Sequence, residues 1–166
     1  GMSQAASGQN PSRITYHAYV LGQLLEKILE ATERRLARLS QGRFELRRGS
    51  HPLEVVVLDR FSGSERAVST LSGGESFLAS LALALGLSDT IQARGDRPPL
   101  GSLFVDEGFG YLDAEATALA FQALQSLSME EGRLVAIVTQ VEELRERAGT
   151  RLEVIPGQQG SEIRFN

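Results

Sequence analysis

An α/β fold, with a mostly parallel sheet and flanking helices, is predicted by three features of this 166-residue chain. Apolar strand-like runs alternate with helix-like segments from residue 43 onward. The run Leu103-Phe104-Val105 is continuously apolar, the pattern of a central parallel strand covered on both faces. A Ser-Gly-Gly step at Ser72-Gly73-Gly74 leads straight into the long apolar segment SFLASLALALGL, the pattern of a helix mouth followed by a buried helix.

The first element follows a small, polar stretch over residues 1–12, which reads as a disordered tail, with Gly1 ahead of Met2 read as an expression scar. From about Arg13 to Ser40, Leu21, Leu25, Ile28, Leu29, Thr32, Leu36 and Leu39 recur at spacings of three and four, so a helix with one apolar stripe is expected. Glu26, Lys27, Glu30, Glu33, Arg34 and Arg38 occupy the opposite face, and Gly42 suits the position just past the helix end. Arg43–Arg47 alternates as a half-buried strand, and Leu53–Leu58 is a β-branched, more apolar strand. Residues 59–64 contain Ser62-Gly63 and read as a turn that could close a hairpin, and residues 65–70 lead into the helix mouth.

The helix after Ser72 is expected to run to about Gln92 with little polar face. Residues 94–101, with two prolines, read as a loop, and residues 102–106 as the apolar strand. Ala114–Leu127 places Ala116, Leu119, Ala120, Ala123, Leu124 and Leu127 on one helix face, with Asp113 as N-cap. Leu134–Val138 reads as the next strand and Val141–Arg147 as a short helix. Leu152–Ile155 and Glu162–Phe165 read as two closing strands around Pro156-Gly157.

Composition bounds the chemistry. A net charge of −4 gives no global electrostatic case for nucleic acid, so any such contact needs a local basic patch. Arg34, Arg35, Arg38, Arg43, Arg47 and Arg48 supply one candidate; they suit a DNA backbone, and equally suit solvated charges interleaved with Glu. The absence of Cys excludes disulfides and thiolate metal sites, and His17 and His51 stand apart without ligand spacing. No apolar stretch reaches the about 18 residues of a membrane span, so no membrane partner and a cytoplasmic location are expected.

Two motifs carry chemistry. Ser72 and Glu75 form an S-x-x-E capping box. The same helix mouth offers unpaired N–H groups, the positive end of the helix dipole and glycines that allow close approach, which together suit a phosphate. Asp106 and Glu107 follow an apolar strand, and ligands of open α/β sheets bind at the carboxyl ends of such strands.

The wording of these motifs resembles a known family. LSGGE at Leu71–Glu75 resembles the signature motif of ABC-type ATPases, LFVDE a Walker B strand with its catalytic Glu, and GYLD a D-loop. DEGFGYLD and VEELRER resemble the SbcC-type DNA-repair exonuclease ATPases, relatives of the SMC proteins. The resemblance covers roughly residues 30–166 and implies the C-terminal half of a P-loop ABC-type ATPase head. Residues 13–40 would be the root of a coiled coil and residues 41–166 the C-terminal lobe.

It further implies residue roles. Ser72, Gly73 and Gly74, with Glu75, would meet the γ-phosphate of ATP held by a second head, and Asp113 would face that partner in the D-loop. Asp106 would hold Mg2+, since a hard carboxylate suits that ion. Glu107 would orient or deprotonate the attacking water. Gln140 stands where the family has a His; its amide could sense a phosphate but carries no proton, and a purely structural role at a strand end is the other reading.

No G-x-x-x-x-G-K-[ST] phosphate loop occurs in the sequence. The resemblance places that loop in an N-terminal half of the same head, so the chain alone is expected to be inactive, and ATP and Mg2+ would both require that half. Implied partners are that half, a second head in a homodimer, an SbcD-like nuclease and double-stranded DNA. The rival readings are an SMC- or RecN-like ATPase lobe without a nuclease partner, and a non-catalytic interaction lobe.

Overall fold

The computed structural model describes residues 14–93, 101–106, 108–110, 112–157 and 160–165. The expected tail over residues 1–12, the larger part of the proline loop and the candidate catalytic Glu107 lie outside the described residues.

Helix α1 spans Tyr16–Leu39, and its N-cap Thr15 accepts a hydrogen bond from the Ala18 amide at 3.1 Å. It ends at Ser40, whose hydroxyl donates to the Leu36 carbonyl at 2.7 Å and accepts from the Phe44 amide at 3.1 Å. The reversal that follows sits one residue earlier than the expected glycine: Gln41, at φ 52°, is the first left-handed residue past the cap and donates to the Arg38 carbonyl at 3.2 Å, and Gly42, at φ 80°, follows it and donates to the Ala37 carbonyl at 2.6 Å.

Strands β1 (Phe44–Arg48), β2 (Val55–Asp59) and β3 (Ser64–Ala67) form an antiparallel meander. The hairpin between β2 and β3 turns through Gly63 at φ 68°. Strand β3 falls where the sequence reads only as a lead into the helix mouth. Its residues Ser-Glu-Arg-Ala are nearly all exposed, and it is held at the sheet edge through main-chain pairing, so it leaves no apolar pattern. A single 3₁₀ turn, Val68–Thr70, leads to helix α2, Gly73–Gln92.

Strand β4 (Ser102–Asp106) pairs in parallel with β5 (Leu134–Val138), and helix α3 (Ala114–Glu131) forms the crossover. Gly132 at φ 63° ends α3. Helix α4 (Glu142–Arg147) and the antiparallel hairpin β6 (Leu152–Gly157) and β7 (Gly160–Phe165) complete the chain. The α/β class therefore stands, with parallel pairing in β4–β5 and antiparallel pairing in the other two sheets.

Helix α2 lies between two cores. On one side Ala79 and Ala82 meet Leu29 and Leu36 of α1 and Phe44, Leu46 and Val57 of the meander. On the other, Leu78, Leu81 and Leu85 meet Phe109, Ala120, Leu124 and Leu127. An apolar run with no polar face is what such a position requires.

One expectation is corrected. Strand β4 is covered on one face only: Leu103 and Val105 pack on the α2–α3 core, whereas Phe104 is 72% exposed and, on the same face of β5, Leu134 and Val138 are also exposed. The helices of this chain pack against one side of the β4–β5 pair, and the apolar run records a second cover that the described residues do not supply.

The crossing of α1 and α2 is close enough to exclude a methyl group. A Cβ on Gly86 would lie 2.9 Å from the Thr32 amide nitrogen and 3.0 Å from the Ile28 carbonyl oxygen, both backbone atoms. Gly86→Ala should therefore lower stability by about 1–3 kcal/mol, the usual cost of overpacking. Denaturant unfolding checks this, and an unchanged midpoint would contradict the crossing.

Candidate functional site

Ser72 caps α2 and Glu75 completes the capping box. The Glu75 amide donates to Ser72 Oγ at 3.3 Å, and the Ser72 amide donates to Glu75 Oε2 at 2.9 Å. Among the described residues, the N–H groups of Gly73 and Gly74 have no hydrogen-bond partner, and Ser72 and Gly73 are exposed. The mouth thus presents amides, a hydroxyl and the positive helix end to solvent, which fits a phosphate.

Asp113 performs the same local task for α3: the Ala116 amide donates to its Oδ1 at 2.8 Å. The two helix mouths are neighbours. A Cβ on Gly74 would collide with the Cβ of Ala116, so the second signature glycine is required by helix–helix approach as well as by any ligand.

Asp106 ends β4 exposed, in register with Val138 of β5, so Asp106 and the Thr139-Gln140 step share the carboxyl edge of the parallel pair. Thr139 Oγ1 accepts from the Val141 amide at 3.1 Å and fixes the exit from β5, while Gln140 is exposed. The segment after β4 is seated on α2. The Phe77 and Phe109 rings lie 5.0 Å apart, and a Cβ at Gly108 would come within 2.7 Å of the Phe77 ring. The fold therefore packs the start of α2, at Gly74, on the start of α3, at Ala116, and seats the segment after β4 on the same helix. Glu107 lies outside the described residues. Among those residues no group of three carboxylate or imidazole side chains could enclose a metal ion.

An ion-pair network behind the mouth has no local signal in the sequence. The Glu75 carboxylate faces Arg43 Nη1 at 3.4 Å through one oxygen and Arg66 Nη2 at 3.5 Å through the other. Arg43 also donates to buried Asp59, from Nη2 at 3.1 Å and from Nε at 3.3 Å. Arg66 Nη1 donates to the Thr70 carbonyl and hydroxyl, each at 2.8 Å. Both guanidinium groups lie over the Phe44 ring, at 4.6 and 5.7 Å. The Arg43 hydrogen bond, aided by the Phe61 amide, holds the Asp59 carboxyl below the usual aspartate range against the opposing effect of its burial.

The wider arginine cluster is largely matched by acids. Arg35 forks onto Asp89 with its closest contact at 2.8 Å, Arg47 meets Glu45 at 2.6 Å, and Arg48 meets Glu26 at 3.4 Å. Among the described residues no helix is long and apolar enough to cross a membrane.

Known proteins are similar to this chain in sequence and in fold. The family model described as SbcC/RAD50-like, Walker B motif matches residues 44–126. The chain is 43% identical over 172 residues to the SbcC component of the SbcCD nuclease of Vibrio cholerae, covering 99% of the chain and 17% of that protein. It is 42% identical over 170 residues to the same component from Staphylococcus haemolyticus, again covering 99% of the chain and 17% of that protein. It therefore spans about a sixth of the length of these curated relatives.

Among solved structures, a chain from work on ATP-driven dimerization and DNA-stimulated activation of SMC ATPases superposes with a TM-score of 0.67 at 18% identity. That match covers 90% of this chain and 89% of its own. The SMC head domain from Thermotoga maritima gives 0.62 at 22% identity, covering 89% and 50%. These two likenesses establish the fold.

The depressed Asp59 carboxyl has a pH consequence. Its stabilisation is fully present above the ordinary aspartate range and is lost as the pH falls through its lower folded-state value. Arg43→Ala removes the main cause of the depression, so acid unfolding followed by circular dichroism should begin at higher pH than in the parent chain. Superimposable acid profiles would contradict the pairing.

Proposed function

The chain belongs to the SbcC/RAD50-like Walker B family, and on that premise we propose that it is the C-terminal lobe of an SbcC-like ATPase head. In this reading the whole protein binds and hydrolyses ATP to clamp double-stranded DNA and gate an SbcD-like nuclease. The carrying observation is the exposed, glycine-lined mouth of α2, whose Gly73 and Gly74 amides have no partner among the described residues.

The roles follow from the chemistry of each group. Ser72 Oγ and the amides of Gly73 and Gly74 bind the γ-phosphate of a nucleotide held by a second head, which stabilises charge without proton transfer. Glu75 shapes that mouth from behind through its bonds to Ser72, Arg43 and Arg66. Asp113 caps α3 at the same face and meets the second head. Asp106 supplies a carboxylate to Mg2+, which when bound neutralises phosphate charge. Glu107 orients the attacking water, and Gln140 donates an amide hydrogen bond to the phosphate.

The N-terminal half of the head supplies the phosphate loop and covers the apolar face of Phe104, Leu134 and Val138. The chain alone is then inactive. Gln140 favours one further reading, a nucleotide-sensing lobe with weak turnover, because an amide cannot accept and return a proton.

ATP turnover by this chain alone, and mixed with the N-terminal segment of its parent protein, tests the reading. The expected outcome is turnover only in the mixture, with a loss of at least about 100-fold on Glu107→Gln, the scale of a general base's contribution. A mixture shown to assemble yet without turnover would overturn the hydrolytic reading.

A further inference from the structure

Arg43 occupies an unusual junction. It is separated from the end of α1 only by Ser40 and the left-handed Gln41-Gly42 turn, and it immediately precedes β1. Its guanidinium is anchored on buried Asp59 and lies over Phe44, and from there Nη1 reaches Glu75 Oε1 at 3.4 Å. The other Glu75 oxygen accepts from the Ser72 amide at 2.9 Å and faces Arg66 at 3.5 Å. Arg66 in turn ties down the Thr70 carbonyl and hydroxyl in the 3₁₀ turn that delivers the chain to Ser72. A continuous set of contacts thus runs from the end of α1, through Arg43 and Glu75, to the backbone of Ser72.

The arrangement exceeds what capping needs. A Glu or Gln at the third helical position satisfies the N-cap amide unaided. Here the carboxylate is also gripped by two cations, one at the start of β1 and one in β3, and both approach a second, buried carboxylate: Arg43 at 3.1 Å and Arg66 at 3.9 Å from Asp59 Oδ2. Arg43, Asp59, Arg66 and Glu75 alternate in sign around a closed cycle of contacts, with both guanidinium groups over Phe44, and charge-assisted hydrogen bonds in a partly buried setting fix geometry more strongly than neutral ones. The mouth of α2 is therefore set by the meander and the end of α1, and not by α2 alone.

We propose that Arg43 is a positioning residue for the signature mouth: acting through Glu75 with Arg66, it holds Ser72 in register for the phosphate of the opposite head and ties that register to the end of α1. The proposal rests on the functional reading above. Because the mouth serves a nucleotide bound elsewhere, loosening it slows turnover while leaving each head's own nucleotide affinity intact.

The test uses the full-length protein and measures steady-state ATP turnover, with equilibrium binding of a fluorescent ATP analogue to unpaired heads. Arg43→Ala should lower kcat about fivefold, the scale of one partly exposed ion pair, with analogue affinity unchanged. Arg43→Lys, which keeps the charge and loses the fork on Asp59, should recover part of the rate. Glu75→Gln keeps the N-cap hydrogen bond and removes the charged partner, so the double variant Arg43→Ala/Glu75→Gln should be no slower than Glu75→Gln alone.

Multiplying losses in the double variant, or an unchanged kcat for Arg43→Ala, would overturn the proposal. So would a loss of analogue affinity that follows the loss of rate, which marks a general defect of the head. Ser72→Ala, measured alongside, separates the two levels. If it leaves turnover untouched the functional reading of the mouth fails; if it slows turnover while Arg43→Ala does not, the positioning role alone fails.

Discussion

Two close approaches made by α2 constrain the rest of the molecule. At Gly86 the helix comes so near α1 that a single methyl group would meet backbone atoms, and at Gly74 it comes near enough to α3 that a methyl group would collide with the Ala116 Cβ. Between these points its Ala and Leu residues close both cores. Glycine is the residue that permits such approaches, and its loss of helix propensity is offset here by packing on two sides. The position of the signature mouth is consequently inherited from two helices and a sheet at once. A displacement of α1 or α3 relative to α2 cannot leave Ser72 where it is.

The same helix explains why chemistry gathers at one end. Phe77, one turn into α2, seats Gly108 and Phe109, and so fixes the chain just beyond the acidic end of β4. Ala116, in the first turn of α3 and capped by Asp113, sits on Gly74, so the starts of the two helices meet. Hydroxyl, amides and carboxylates reach the same edge because short contacts near the starts of two helices place them there. The opposite face of β4–β5, with Phe104 exposed beside Leu134 and Val138, is an apolar surface of a kind that proteins cover.

Local features are legible in the sequence and distant ones are not. The Ser72–Glu75 capping box and the Asp113 cap each depend on a few adjacent residues, and each stands where the pattern puts it, while the reversal after α1 falls on Gln41, one residue ahead of the expected Gly42. Strand β5 is readable to its ends because its apolar run is sharply bounded. Strand β3 is not, since a polar edge strand is held by main-chain pairing that leaves no side-chain signature. In the sequence Asp59 reads as a turn residue and Arg43 as one of several basic surface residues. Their pairing, and the reach of Arg43 to Glu75, are tertiary facts that no window of sequence contains. The continuous apolar character of β4 is a demand for two covers, of which the described residues supply one.

The most direct test of the central claim is a structure of the full-length protein with a non-hydrolysable ATP analogue. Two heads should stand face to face, with Ser72 Oγ and the Gly74 amide of one within hydrogen-bond distance of the γ-phosphate held by the other. The Arg43–Glu75 contact should be intact behind that mouth. A nucleotide whose γ-phosphate is contacted only by its own head, with Ser72 of the second head facing solvent, would contradict the claim.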